Sequence, residues 1–203
     1  MKQNLEGYYR LHAGIYDMTR WSFLFGRRAI VSHLAETGPA MRILEVGCGT
    51  GKNLVHFAKA FPHAHITGLD LSKDMMEQAR KKTVEFQGRI TMVQQPYSEP
   101  FQPGGFDIVM FSYSLTMMQQ EWGTALESAA ADLSPKGRVA VVDFHDTPVP
   151  AFRSWMAINH VRLQGHLLPK LNDLFTPQYS RLGTGYLGLW RYLTFIGGPD
   201  TGQ

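Results

Sequence analysis

"MRILEVGCGTGKNLVHFAKAF", residues 41–61, decides the fold. Ile43 to Val46 is an apolar run of buried-strand length, Gly47, Gly49 and Gly51 punctuate the turn after it, and Leu54, Phe57, Ala58 and Phe61 then recur at helical spacing. A strand, a glycine turn and a helix make the first half of a unit that returns the chain to a parallel sheet. The glycines let the backbone turn tightly and let a ligand approach bare N–H groups at a helix N-terminus. A dinucleotide fingerprint, G-x-G-x-x-G, would place its third glycine at 52, where this chain has Lys52.

The pattern repeats outward from that stretch. "AHITGLDLS" (64–72) holds a second strand, Ile66 to Leu69, and Ser72 is placed to cap the helix "KDMMEQARKKTVEF", whose basic end suits its C-terminus. "RITMVQQ" (89–95) reads as a third strand, "FDIVMFSY" (106–113) as a fourth, "EWGTALESAAADL" (121–133) as a helix, and "GRVAVVDF" (137–144) as a fifth strand after the turn "SPKG". "AFRSWMAINHVRLQGHLL" (151–168) reads as helical, and "GYLGLWRYLTFIGG" (185–198) fits either closing strands or an amphipathic helix. Such alternation predicts an α/β fold with a mostly parallel sheet covered on both faces.

The chain's 203 residues suit one domain, divided into an N-terminal lid (1–38), a core (39–146) and a C-terminal, substrate- and membrane-facing part (147–203). No apolar run reaches a membrane span, "MKQNLEGYYR" lacks the core of a signal peptide, and the single Cys48 offers neither an internal disulfide nor a zinc set. A cytoplasmic protein is expected. Its charge is unevenly spread: residues 1–35 and 151–203 each hold five Lys/Arg against two Asp/Glu, while residues 36–150 hold ten against thirteen. The same flanks carry fourteen of the twenty-four aromatic residues, a combination suited to peripheral contact with an anionic membrane. The net charge of +3 is modest for tracking phosphates, so no nucleic-acid partner is expected.

Two carboxylates frame the glycine turn. Glu45 stands just before it, where it can meet an ammonium group or organise the loop, and Asp70 ends the second strand, where a carboxylate can accept from both hydroxyls of a ribose.

"ILEVGCGTG", "GLDLS", "FDIVMFSYSL" and "LSPKGRVAVVDF" resemble the successive motifs of class I S-adenosylmethionine-dependent methyltransferases over about residues 40–145. The resemblance implies a Rossmann-like, seven-stranded sheet whose last two strands form a reversed hairpin, with S-adenosyl-L-methionine across the carboxyl ends of the first strands and S-adenosyl-L-homocysteine as product. It places Glu45, Gly47, Gly49 and Gly51 at the methionine part, with Cys48, Thr50 and Asn53 of the same loop beside them, Asp70 at the ribose, and Leu71 and Met75 at the adenine. In "VQQPYSEP" (93–100) the acidic residue that often binds the adenine amine is missing, which leaves Gln95 or a backbone group for that contact.

A narrower resemblance rests on the flanks. "YYRLHAGIYDMTRWSFLFGRR" (8–28), "FSYSLTMM" and "VVDFHDTP" are similar to bacterial betaine-lipid and phosphatidylethanolamine N-methyltransferases, and quinone C-methyltransferases share the "YD" near the N-terminus. A lipid amine is therefore the expected acceptor; a quinone precursor or small metabolite is the alternative, and a non-catalytic cofactor-binding subunit a third reading. Tyr9, Tyr16 and Tyr113 could surround a cationic nitrogen with rings and phenol oxygens. Tyr16 and Arg20 would close over the cofactor, Arg20 on its carboxylate. Ser112, ending the fourth strand beside Tyr113, is a further expected cofactor contact, and His145 is the candidate proton acceptor. Trp21, Phe23, Phe25, Arg27 and Arg28 would face lipid. No metal is expected, since transfer from a sulfonium needs none, and the oligomeric state is left open.

Overall fold

The computed structural model describes residues 24–199, so Tyr9, Tyr16, Arg20, Trp21 and Phe23 lie outside the described residues. Among these, helix α1 spans Arg27–Glu36, followed by β1 (Arg42–Val46), α2 (Lys52–Ala60), β2 (His65–Leu69), α3 (Lys73–Lys82), β3 (Ile90–Val93) and β4 (Phe106–Ser112). Then come α4 (Trp122–Asp132), β5 (Leu133–Asp146), α5 (Pro150–Ile158), α6 (Leu167–Leu174), β6 (Phe175–Gly185) and β7 (Trp190–Pro199). One seven-stranded sheet has the order β3-β2-β1-β4-β5-β7-β6. Strands β1 to β5 pair in parallel, and β7 runs antiparallel to both β5 and β6. The reversed hairpin and the doubly covered sheet agree with the sequence expectation.

Alternate residues of β1, β4 and β5 feed two cores. Ile43, Ile108, Met110, Ala140 and Val142 pack with Ile30 and Leu34 of α1 and Leu54 and Phe57 of α2. Leu44, Val46, Val109, Phe111, Val139 and Val141 pack with Ala125 and Leu126 of α4 and Leu167 and Leu171 of α6. Burying Leu54 or Phe57 fully is worth about 1.5–3 kcal/mol each, so the apolar stripe of α2 anchors the helix that the glycine turn launches. Ser72 caps α3 as expected, its Oγ accepting from Met75 N at 3.3 Å.

The C-terminal third departs from the sequence reading. The single helix expected over 151–168 is broken: α5 ends at Ile158, His160 takes φ 62° and Gly165 φ 67°, and α6 starts at Leu167. The segment from 185 resolves into a turn at Tyr186–Gly188 and strand β7. "SPKG" does interrupt the fifth strand's pairing, because the ladder with β4 jumps from Phe106↔Leu133 to Ile108↔Arg138.

Candidate active site

Parallel strands bring their carboxyl ends to one edge, and the order 3-2-1-4-5 opens a crevice between β1 and β4, where successive connections leave on opposite faces. The glycine turn lies there. Gly47 N and Cys48 N both donate to Leu69 O, at 2.8 and 2.9 Å, which ties the turn to the end of β2. Gly47, Gly49 and Gly51 all have left-handed φ, of 72°, 53° and 74°. A Cβ on Gly47 would stand 2.6 Å from Ser114 Cβ and one on Gly51 2.9 Å from Ala79 Cβ, whereas one on Gly49 would meet nothing within 4 Å. Two of the glycines therefore serve close packing, and the middle one faces an open cradle.

Glu45 is 1% exposed at the base of that cradle. Asn53, from the first turn of α2, donates through Nδ2 to Glu45 Oε1 at 2.8 Å. Glu45 Oε2 and Asn53 Oδ1 are both buried and take part in no hydrogen bond. Burial pushes the Glu45 carboxyl up to about 8, against the smaller opposing effects of the Asn53 bond and the Arg27 guanidinium. Two orphaned acceptor oxygens beside an open backbone cradle suit an ammonium donor, and the residues present thus fit the methionine end of the expected cofactor.

Asp70 is already engaged. Its Oδ2 accepts from Gly49 N and its Oδ1 from Ser72 N, both at 2.8 Å, and burial raises its pKa against these bonds. Each carboxylate oxygen has a second lone pair, so a ribose contact is compatible with this role in the loop. Asp70→Ala should therefore lower the thermal midpoint of the unliganded protein, through loss of about 1–3 kcal/mol, as well as weaken cofactor binding. A scan without cofactor checks it; a residue touching only ribose would leave that midpoint unchanged.

The other expected cofactor residues divide. The Cys48 side chain turns into the core, with Sγ 3.9 Å from Met76 Sδ, and burial raises its pKa, so only its backbone can serve the site. Thr50 is buried and accepts from Lys82 Nζ at 2.9 Å. Leu71 is exposed beside β2's end and Met75 half-buried on α3's first turn, at the rim where an adenine would lie. Gln95 is half-buried, and it is Gln94 that bridges to this rim, its Nε2 donating to Leu71 O at 3.1 Å.

Across the crevice, Tyr113 follows β4 with φ 55° and is buried, its hydroxyl donating to Phe25 O at 2.9 Å. Burial raises the phenol's pKa well above its ordinary value, so the neutral form persists. Its ring meets Phe144 edge-on with centroids 4.7 Å apart. Ser112 Oγ accepts from Arg27 Nε at 3.0 Å, and the Arg27 guanidinium lies 5.6 Å from the Tyr113 ring centroid. Arg27 accordingly turns toward the crevice, and the expectation that it faces lipid is corrected: at the first position of α1 it is held by a hydroxyl and a ring. Phe25 packs with Tyr186, Trp190 and Tyr192, at centroid distances of 5.8, 6.0 and 6.0 Å, while Arg28 is exposed.

His145 is not part of the Tyr113 group. It sits beyond Asp143 on the α4/α6 side of β5, against Gly165, with a buried Nδ1 that makes no hydrogen bond. Burial lowers its pKa, more than neighbouring Asp146 raises it.

Sequence reading missed two participants here, Arg27 as a site residue and the fully buried pair Asp143–Thr116, in which Thr116 Oγ1 donates to Asp143 Oδ1 at 2.5 Å. The signal for the second was a charged residue inside the apolar run "VAVVDF". Among the described residues no three His, Cys, Asp or Glu side chains group as a metal site, and no helix is long and apolar enough to cross a membrane.

A family profile described as a methyltransferase domain matches residues 43–137. The chain is 30% identical over 167 residues to the ubiquinone/menaquinone biosynthesis C-methyltransferase of Syntrophotalea carbinolica, covering 79% of this chain and 68% of that protein. It is 31% identical over 174 residues to the dTDP-3-amino-3,4,6-trideoxy-alpha-D-glucopyranose N,N-dimethyltransferase of Streptomyces venezuelae, with the same coverages. In fold it matches the 1,6-didemethyltoxoflavin-N1-methyltransferase of Burkholderia thailandensis, solved with 1,6-didemethyltoxoflavin and S-adenosylhomocysteine, at a TM-score of 0.74 and 19% identity over 97% of this chain and 87% of that one.

Proposed function

Because this chain belongs to the class I S-adenosylmethionine-dependent methyltransferases, we propose that its acceptor is a small aromatic molecule of the quinone-precursor kind. The observation that carries this reading is the likeness to a quinone C-methyltransferase over most of both chains. Accessible rings support it: Phe25 and Tyr186, 37% and 50% exposed with centroids 5.8 Å apart, offer faces to a planar acceptor, backed by the buried rings of Tyr113, Phe144 and Trp190. Neither relative named above acts on a lipid amine, and Arg27, one of the two arginines offered for membrane contact, faces the crevice instead.

When bound, the cofactor supplies an electrophilic methyl group on sulfur. What the protein contributes is placement and exclusion of water. Glu45 and Asn53 present two free acceptor oxygens to an ammonium group, Gly49 leaves room for close backbone approach, and Asp70 holds Gly49 in that position. Arg27, anchored on Ser112 and Tyr113, sets positive charge at the mouth of the crevice, where a carboxylate can be held. Tyr113 remains a neutral phenol and so a hydrogen-bond donor, already directed at Phe25 O. A phenolic acceptor must lose a proton to become a strong carbon nucleophile, and His145, on the opposite side of β5 from the Tyr113 and Phe144 rings, is not placed to accept it there.

The test is a panel assay with methyl-labelled cofactor. Hydroxylated naphthalene and benzene rings, with and without prenyl tails, are compared with amino sugars and with phosphatidylethanolamine vesicles. Label on a ring carbon is the expected result. Label confined to the lipid headgroup would overturn this reading in favour of lipid N-methylation.

A further inference from the structure

The end of β5 carries a carboxylate with no solvent access. Asp143 is 0% exposed and accepts from groups on the neighbouring turn and its own strand: Thr116 Oγ1 at 2.5 Å, Thr116 N at 3.3 Å and Phe144 N at 2.8 Å. A buried ionisable side chain is costly unless its partners are fixed, so its presence inside an apolar strand calls for a reason.

That reason lies in what Thr116 belongs to. The turn Leu115–Met117 follows β4 and touches three parts of the site at once. Ser114, at its start, donates through Oγ to Val46 O at 3.0 Å, and its Cβ occupies the space a side chain on Gly47 would need. Tyr113, immediately before it, bends through a left-handed φ with its N–H on Val142 O at 2.8 Å. Thr116 O accepts from Arg162 N at 3.1 Å, which joins the turn to the segment between α5 and α6. Asp143 is thus the point at which β5 holds a junction of the glycine turn, the Tyr113 wall and the C-terminal segment.

We propose that Asp143 is a positioning residue that locks the Ser114–Met118 turn, and with it the acceptor side of the site, by binding both the hydroxyl and the amide of Thr116. The inference rests on the methyltransferase reading for its meaning, but the lock itself can be measured without any acceptor. Asp143 touches no reacting atom; it acts through Thr116.

Three variants separate this role from general support of the core. Asp143→Asn keeps the shape and loses the charge, Thr116→Val removes the hydroxyl at nearly constant volume, and Thr116→Ser restores it. Amide hydrogen exchange of the unliganded protein should quicken at Thr116, Met117 and Met118 by about tenfold or more in the first two variants, and stay near wild type in the third. Amides of β1, β2 and β4 should keep their rates, and affinity for S-adenosylhomocysteine by calorimetry should stay within about twofold. On whichever acceptor the wild-type protein methylates, kcat or the acceptor KM should worsen about tenfold. Unchanged exchange at the turn would overturn the proposal, and so would equal acceleration across the core strands or a parallel loss of S-adenosylhomocysteine binding. Should Asp143→Asn fail to fold, the Thr116 pair reads the same bond. Failure of every aromatic acceptor would count against the acceptor reading alone, and the exchange data would still decide the lock.

Discussion

Glu45→Gln should weaken cofactor binding about 10- to 100-fold, the 1.5–3 kcal/mol typical of a hydrogen bond to a charged group, while making the unliganded protein more stable at alkaline pH. The two effects have one source. In the folded protein without cofactor the Glu45 carboxyl is pushed up to about 8 from an ordinary 4.5, because its charged form is buried with one oxygen unmatched. A folded-state pKa raised above the unfolded value favours folding fully below the unfolded pKa, and that contribution is lost as pH rises through the folded pKa. The unliganded protein should therefore lose stability between about pH 5 and 8 through this group, and the glutamine variant should not. An ammonium ligand reverses the preference by matching the carboxylate, so binding releases a proton from Glu45. Cofactor affinity should then rise with pH, by up to about tenfold per unit between pH 6 and 7.5, where an α-ammonium is still largely protonated. Calorimetry in buffers of different ionisation enthalpy checks the proton release, and a pH-independent affinity would count against Glu45 as the ammonium's partner.

Gly47→Ala should cost the fold itself about 2–4 kcal/mol, combining a left-handed backbone for a residue with a Cβ and a forced displacement of Ser114. Gly49→Ala makes the contrast. Its φ is also positive, but its Cβ would enter open space, so the stability loss should be only about 1–2 kcal/mol while the cradle for the cofactor is filled. Denaturant unfolding of both variants, with calorimetry of cofactor binding to Gly49→Ala, tests the assignment. Equal destabilisation by the two substitutions would mean that backbone conformation alone, and not the Ser114 contact, explains Gly47.

The sequence by itself determined what is local or periodic. Apolar runs of strand length, the glycine turn, the stripe Leu54–Phe57–Ala58 and the Ser72 cap each depend on residues a few positions apart, and the structure forms them where the pattern puts them. Glu45 and Asp70 were legible because parallel strands end on a common edge, which by itself fixes the neighbourhood of those carboxylates. The edge strand β6 was harder to read, since its largely exposed residues include Pro177 and no apolar alternation. The helical period across 151–168 likewise could not show that His160 and Gly165 adopt left-handed conformations that divide it.

What only the tertiary structure decided are pairings between distant positions. Arg27 and Ser112 are 85 residues apart, and Asp143 and Thr116 27 apart, and no local pattern distinguishes an arginine at a helix start that swings into a crevice from one that stays in water. Sheet order sets those meetings. Once β4 lies between β1 and β5, the residues at their carboxyl ends must share one small volume, and burial there turns an acidic side chain from a solvated charge into a fixed acceptor whose partners are chosen by the whole fold.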